Sequence, residues 1–378
     1  MKITRKLLLG LGVAVSSLVF AQQEGQVLTG APFLRVSPDA RAGGMGDQGV
    51  ATSTDAFSQF WNAAKYPFSK TTSAVAVNYT PYMSKITNDI FLLYAGYHTF
   101  LDSEERSTLG ASIYYFNMGQ VDLTKLVGSQ VTNEGSVTPN EFSLDVSYGL
   151  KLSDTYSMAV TGRYIRSDFG NFNSDSNLKP ANSFAVDVSG FYQSEKHQSF
   201  GDYEGRIRGG FAVQNLGPKL DYTGDDTSRS YLPTTMRLGA GYDLFLDDLN
   251  KVGVTAEMSK LLVPGAELSS DGKTLEIPNV GVMEGIGKSF SNPQSTMLSF
   301  ATEYSYDNAF AVRGGYFTES QLQGGRQYAT VGVGFNYQSF GLDVSYLINT
   351  SKTNSALDNT LRFGLTWNIG ESSSNADN

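Results

Sequence analysis

His98 and His197 are the only histidines in the chain, so acid–base chemistry near pH 7 would have to begin with them. Neither stands in a recognisable catalytic setting. The sequence contains no G-x-S-x-G elbow, no H-E-x-x-H and no phosphate-cradling P-loop. It contains no cysteine, which removes disulfides and thiolate metal sites. Asp221, Asp225 and Asp226, near Tyr222 and Tyr231, have a spacing that could hold Ca²⁺. The full EF-type pattern is absent, and an ordinary solvated loop is the better expectation. The chain is therefore expected to be a non-enzyme without cofactor or metal.

The elements that would position these residues begin with an expected leader over residues 1–21. Lys2, Arg5 and Lys6 precede an apolar run from Leu7 to Phe20, and Val19-Phe20-Ala21 supplies a small-residue exit, as in a secretory signal peptide. Its removal near Ala21 takes the formal net charge from −9 to −12, which argues against a nucleic-acid partner. After the leader no apolar stretch reaches the ~20 residues of a spanning helix. Yet Gly (40), Phe (23) and Tyr (21) are abundant in the full chain and charged residues make up only 17%. That balance points to a secreted β-protein or a membrane barrel.

Alternation decides between them. A barrel wall puts every second side chain in lipid and the others in a lumen, over segments of ~10 residues. Leu144, Val146, Tyr148, Leu150 and Leu152 alternate with Ser143, Asp145, Ser147, Gly149 and Lys151. Val331 to Tyr337 and Leu361 to Ile369 repeat the pattern. Fourteen strands are predicted, at 73–80, 88–98, 108–118, 140–151, 155–167, 182–194, 206–216, 234–245, 250–260, 296–306, 309–318, 328–338, 340–349 and 360–369. Connections after odd strands tend to be long, notably 119–139, 168–181, 217–233 and 261–295, and those after even strands mostly tight. Long outer loops and short periplasmic turns produce that sorting, and a soluble sandwich does not require it. The expected fold is all-β: a 14-stranded antiparallel transmembrane outer-membrane β-barrel over 73–370, with a polar tail at 371–378. Residues 22–72 lack clean alternation but carry Phe33, Leu34, Met45, Phe57, Phe60 and Trp61, which suits an N-terminal plug lodged in the lumen.

The motif Arg41-Ala42-Gly43-Gly44-Met45-Gly46-Asp47, followed by Asp55-Ala56 and Trp61-Asn62-Ala63-Ala64, resembles the plug of FadL-like outer-membrane proteins. Ala63 stands where a proline is usual. With Ser37-Pro38-Asp39-Ala40, the length and the strand count, the chain is similar to the PorV (LptO) family within that superfamily. The resemblance implies a role in the type IX secretion system of the Bacteroidota. Such barrels receive cargo from a SprA- or Sov-like translocon barrel, bind its C-terminal domain and carry it to a PorU-like sortase attachment complex. Outer-membrane lipid and lipopolysaccharide are the implied surroundings. A FadL-type transporter of hydrophobic small molecules is the main alternative. Lipid A deacylation is a third reading, but both histidines map to the periplasmic end, away from the outer leaflet, and are expected to be solvated turn residues.

The residues of the plug motif have a physical reading of their own. Gly43, Gly44 and Gly46 permit conformations and approaches closed to other residues, Arg41 could pair with Asp47 or Asp55, and Asn62 completes the motif. Arg163, Arg166, Arg206, Arg208, Arg237, Arg313 and Arg362 fall mostly on the polar parity of the wall, as lumenal charge facing an acidic plug. The loop at 261–295 carries unusual aliphatic surface, which means either packing over the barrel mouth or a docking surface. The docking reading assigns partner contact to Leu261, Leu262, Val263, Leu275 and Ile277.

Overall fold

The computed structural model describes residues 27–83, 87–127, 130–170, 178–199, 201–225, 229–268, 275–351 and 357–372. The expected leader and nearly all of the expected tail lie outside the described residues. Fourteen wall strands follow in chain order: β1 (Ser73–Pro81), β2 (Ile90–Phe100), β3 (Ser107–Met118), β4 (Asn140–Ser153), β5 (Tyr156–Asp168), β6 (Ala181–Gln193) and β7 (Glu204–Leu216). The second half comprises β8 (Thr235–Phe245), β9 (Asn250–Leu261), β10 (Thr296–Tyr306), β11 (Phe310–Glu319), β12 (Gln327–Tyr337), β13 (Phe340–Asn349) and β14 (Leu361–Ile369). Every end lies within two residues of its sequence expectation. Each strand pairs antiparallel with the next, and β1 pairs with β14 from Ser73 opposite Ile369 to Tyr79 opposite Phe363. The ring is closed and leaves no edge.

Two-residue periodicity separates the faces. On β4, Leu144, Val146 and Tyr148 are exposed, while Glu141, Asp145 and Ser147 are buried. On β14, Leu361, Phe363, Leu365 and Trp367 are exposed and Arg362 is buried. An apolar outer face with a polar inner one is the arrangement that lipid selects and water does not. Outward rings gather at both ends of the wall. Tyr79, Phe91 and Tyr115, then Phe142, Tyr164 and Phe184, form rows near the long-loop end. Phe310 with Phe335 and Phe340 with Trp367 do so near the short-turn end. Such girdles sit where headgroups meet hydrocarbon. Among the described residues no helix is long and apolar enough to cross a membrane.

The connection at 119–139, expected as plain loop, contains a ribbon of Val121–Val127 paired with Gln130–Val137. Its Val and Thr residues favour extended backbone, and their alternation is too short to register as another wall hairpin. The loop between β9 and β10 holds a short pair, Glu267–Leu268 with Leu275–Glu276, and a helix at Val282–Ser289.

Replacing Val146, exposed at the middle of β4, by Arg should destabilise the folded barrel in phospholipid vesicles by about 2–4 kcal/mol, measured by urea unfolding. An unchanged midpoint would show that this face does not meet lipid.

Candidate functional site

Between Val36 and Ser69 the chain bonds to inward-facing groups on strands around the ring, which places this segment inside it. Two short helices order this inner segment: α1 (Ala40–Gly43) and α2 (Ser58–Trp61), the latter followed by a 3-10 turn at Ala63–Phe68. Asp39 starts α1 by accepting from the Arg41 amide at 2.8 Å, and its other oxygen accepts from Trp61 Nε1 at 3.1 Å. One carboxylate thus caps a helix end and ties the two helices together. Asp55 accepts from the Phe57 amide at 3.0 Å and from the Ser58 hydroxyl at 3.1 Å, at the start of α2.

The charged motif residues reach the wall. Arg41 donates to both carboxylate oxygens of Glu303 on β10, at 3.1 and 3.0 Å, and to Asp55 at 2.5 Å. Of the two acids expected for Arg41, Asp55 is its partner. Asp47 instead meets Arg362 on β14 at 3.0 Å and accepts from the Tyr328 hydroxyl at 2.6 Å. Asn62 donates to the carbonyls of Val50 and of Gly190 on β6, and accepts from the Ala64 amide. Glu257 on β9 accepts from the amides of Gly49 and Val50. Burial pushes the Asp39 carboxyl up to about 7, with Asp55 adding to the effect. Burial likewise brings the Lys65 ammonium down to about 8. For Asp55 burial acts upward, but Lys65 and Arg41 outweigh it and hold the carboxyl below its ordinary value.

The glycines let the segment come this close. A Cβ on Gly44 would stand 2.9 Å from the Cα of Gly332 on β12. Gly46 has φ of +70°, and its Cβ would stand 2.9 Å from the backbone oxygen of Tyr316 on β11. Gly43 packs against Arg362 and Ser345.

Two expectations change. His98 is not a solvated turn residue. β2 runs two residues further than expected, so His98 points inward, 1% exposed, stacked on Tyr66 at 4.2 Å and 3.2 Å from the Ser69 hydroxyl. His197 is exposed in the connection after β6. The expected docking residues Leu261, Leu262 and Val263 are buried, at 0%, 6% and 0% exposure. Leu261 and Val263 pack with Val27, Tyr231, Met297, Phe317 and Tyr328, and Ile277 is partly buried against the same cluster. They close the long-loop mouth from within, because hydrocarbon beside the inner segment is a better place for them than water. The Leu275 side chain lies outside the described residues. The Tyr231 hydroxyl joins two loops by donating toward the carbonyls of Pro278 and Val280, while the Tyr231 carbonyl accepts from the Gly30 amide. Among the described residues, the large apolar side chains of the 262–295 loop that are exposed are instead Leu268, Met283 and Phe290.

The wall arginines find acids mainly on the wall rather than on the inner segment. Arg163 pairs with Asp145 directly across from it and with Asp187, and Arg313 with Glu303 directly across and with Asp343. Arg208 pairs with Asp243 and Arg237 with Glu257. Arg206 is also buried, while Arg166 is partly exposed beside Asp168. The inward parity of these acids was visible in the sequence; their cross-strand register was not. Asp221 accepts from the amides of Thr223 and Gly224 and pairs with Arg229 at 3.5 Å; Asp226 lies outside the described residues.

A family model described as type IX secretion system protein PorV matches residues 19–268. No curated protein matches the chain. Among solved structures it is similar to the Ralstonia pickettii toluene transporter TbuX, at 11% identity, covering 88% of this chain and 96% of that one with a TM-score of 0.48. It is also similar to the Pseudomonas putida toluene transporter TodX, at 10% identity, 86% and 95% coverage and a TM-score of 0.47. A Pseudomonas aeruginosa FadL homologue stands at 11% identity, 92% and 100% coverage and a TM-score of 0.45.

Replacing Arg41 by Ala leaves Glu303 and Asp55 facing each other inside the ring without their shared cation. The variant should lose about 3–5 kcal/mol of stability and expose the inner segment to protease, read by urea unfolding and limited proteolysis. A wild-type midpoint and digestion pattern would show that this ion pair does not hold the segment.

Proposed function

The chain belongs to the PorV family of type IX secretion system proteins, and from that premise we propose that it is a non-catalytic outer-membrane binding protein that hands exported cargo onward. It receives the C-terminal domain of cargo from a SprA- or Sov-like translocon barrel and delivers it to a PorU-like sortase complex. The family match over residues 19–268 carries this reading. Two features of the molecule support it. The inner segment is bonded around the ring and acts as a plug, which suits a protein working through its surface more than one conducting through its centre. The loop between β9 and β10 presents Met283, 72% exposed, and Phe290, 59% exposed, and apolar side chains held out in this way favour contact with another macromolecule.

Deletion of the gene should abolish surface display of many unrelated proteins sharing one C-terminal domain, with those proteins accumulating behind the membrane. Intact export together with lost uptake of one hydrophobic compound would replace this reading with transport. In the restored strain, a Met283→Asp, Phe290→Asp double variant should keep the folded, heat-modifiable barrel while losing most co-purifying translocon or cargo. Undiminished capture would exclude that loop as the contact.

A further inference from the structure

Beneath the mouth, between the inner segment and β8 to β12, lies a cavity of about 20 Å³ lined by Arg35, Asp47, Trp61, Arg237, Arg326 and Tyr328 among others. Such a space holds roughly one water or one ion of similar size. Three guanidiniums, each only partly exposed, facing so small a volume are unusual, since like charges screened this little from one another repel without an anion between them. Their acid partners fall short. Arg35 and Arg326 share the single carboxylate of Glu319, at 3.5 and 2.7 Å. Arg237 has Glu257 at 2.8 Å, and Asp47 is taken by Arg362 at 3.0 Å. Among the described residues, four guanidiniums around this cavity thus meet three carboxylates.

The donors are fixed as well as numerous. Arg237 lies over the Trp61 ring at 5.0 Å and Arg326 over the Phe317 ring at 5.3 Å, which favours these positions for both. Arg326 uses Nε and Nη2 on Glu319, and Arg237 uses Nε on Gln214 and Nη1 on Glu257. That leaves Nη1 of Arg326 and Nη2 of Arg237 without a described acceptor. Arg35, which starts from the inner segment, makes only the 3.5 Å approach to Glu319 and a 3.9 Å contact to the Met297 sulfur. Burial, then the neighbouring Arg326, brings the Arg35 guanidinium down to about 10, the direction expected where positive charge is in excess.

We propose that this cavity binds one small monovalent anion of halide size, held by Arg35, Arg237 and Arg326, which fastens the inner segment to the wall. The site is independent of the export role proposed above.

The test uses the mature protein purified in detergent. Its unfolding temperature should rise with the logarithm of chloride or bromide concentration relative to gluconate at equal ionic strength, because a ligand bound only by the folded state stabilises by mass action. Arg35→Gln, which removes the unmatched charge while keeping a shorter polar side chain, should fold in gluconate and lose the halide response. Crystals grown in bromide should give an anomalous peak in the cavity. An equal response in wild type and variant, no response in wild type, or ordered water without anomalous signal would each overturn the proposal.

Discussion

A ring of fourteen strands encloses more space than its own inward side chains fill, and that space lies at membrane depth, where unpaired charge is expensive. The protein answers with a folded stretch of its own chain. Because the stretch is bonded around the ring, through Glu303, Glu257, Arg362 and the Gly190 carbonyl, it stiffens the barrel as it fills it. The electrostatics of wall and inner segment are consequently one system. Glu303 answers both Arg41 from within and Arg313 from the neighbouring strand, so one wall carboxylate serves both.

The wall was almost wholly legible in the sequence. Lipid outside and polar groups inside impose a rhythm of two on each strand, and the rhythm stops where the membrane stops, so strand ends emerge within two residues. Periodicity reports which side a residue faces but not what lies against it. Hence the inward parity of Arg163 and Arg313 was readable, while their partners on adjacent strands depended on register. The same limit explains His98: being near a strand end suggested water, but Tyr66 from the inner segment covers it. Leu261, Leu262 and Val263 show the matching error at the other end. An aliphatic run in a loop signals burial somewhere, and composition alone does not say whether the cover is another protein or this one.

The motif beginning at Arg41 works mainly through packing and bonding within the molecule. Its glycines bring backbone to backbone against β11 and β12, and its polar side chains are engaged by helix starts or wall charges. Segments with this chemistry are intolerant of change without touching any ligand, which separates them from the loop carrying Met283 and Phe290, where little inside the barrel depends on the side chains.

The seam between β1 and β14 has a consequence for how the molecule is made. β14 shuts the ring against β1, and the same strand bears Arg362, the counter-charge of Asp47. Closure of the ring therefore also brings Asp47 its counter-charge. Until β14 arrives, Asp47 has the Tyr328 hydroxyl but not its counter-charge, and such long sequence separation slows the final step of assembly. A chain cut short before Leu361 would lack both a closed wall and the counter-charge of Asp47.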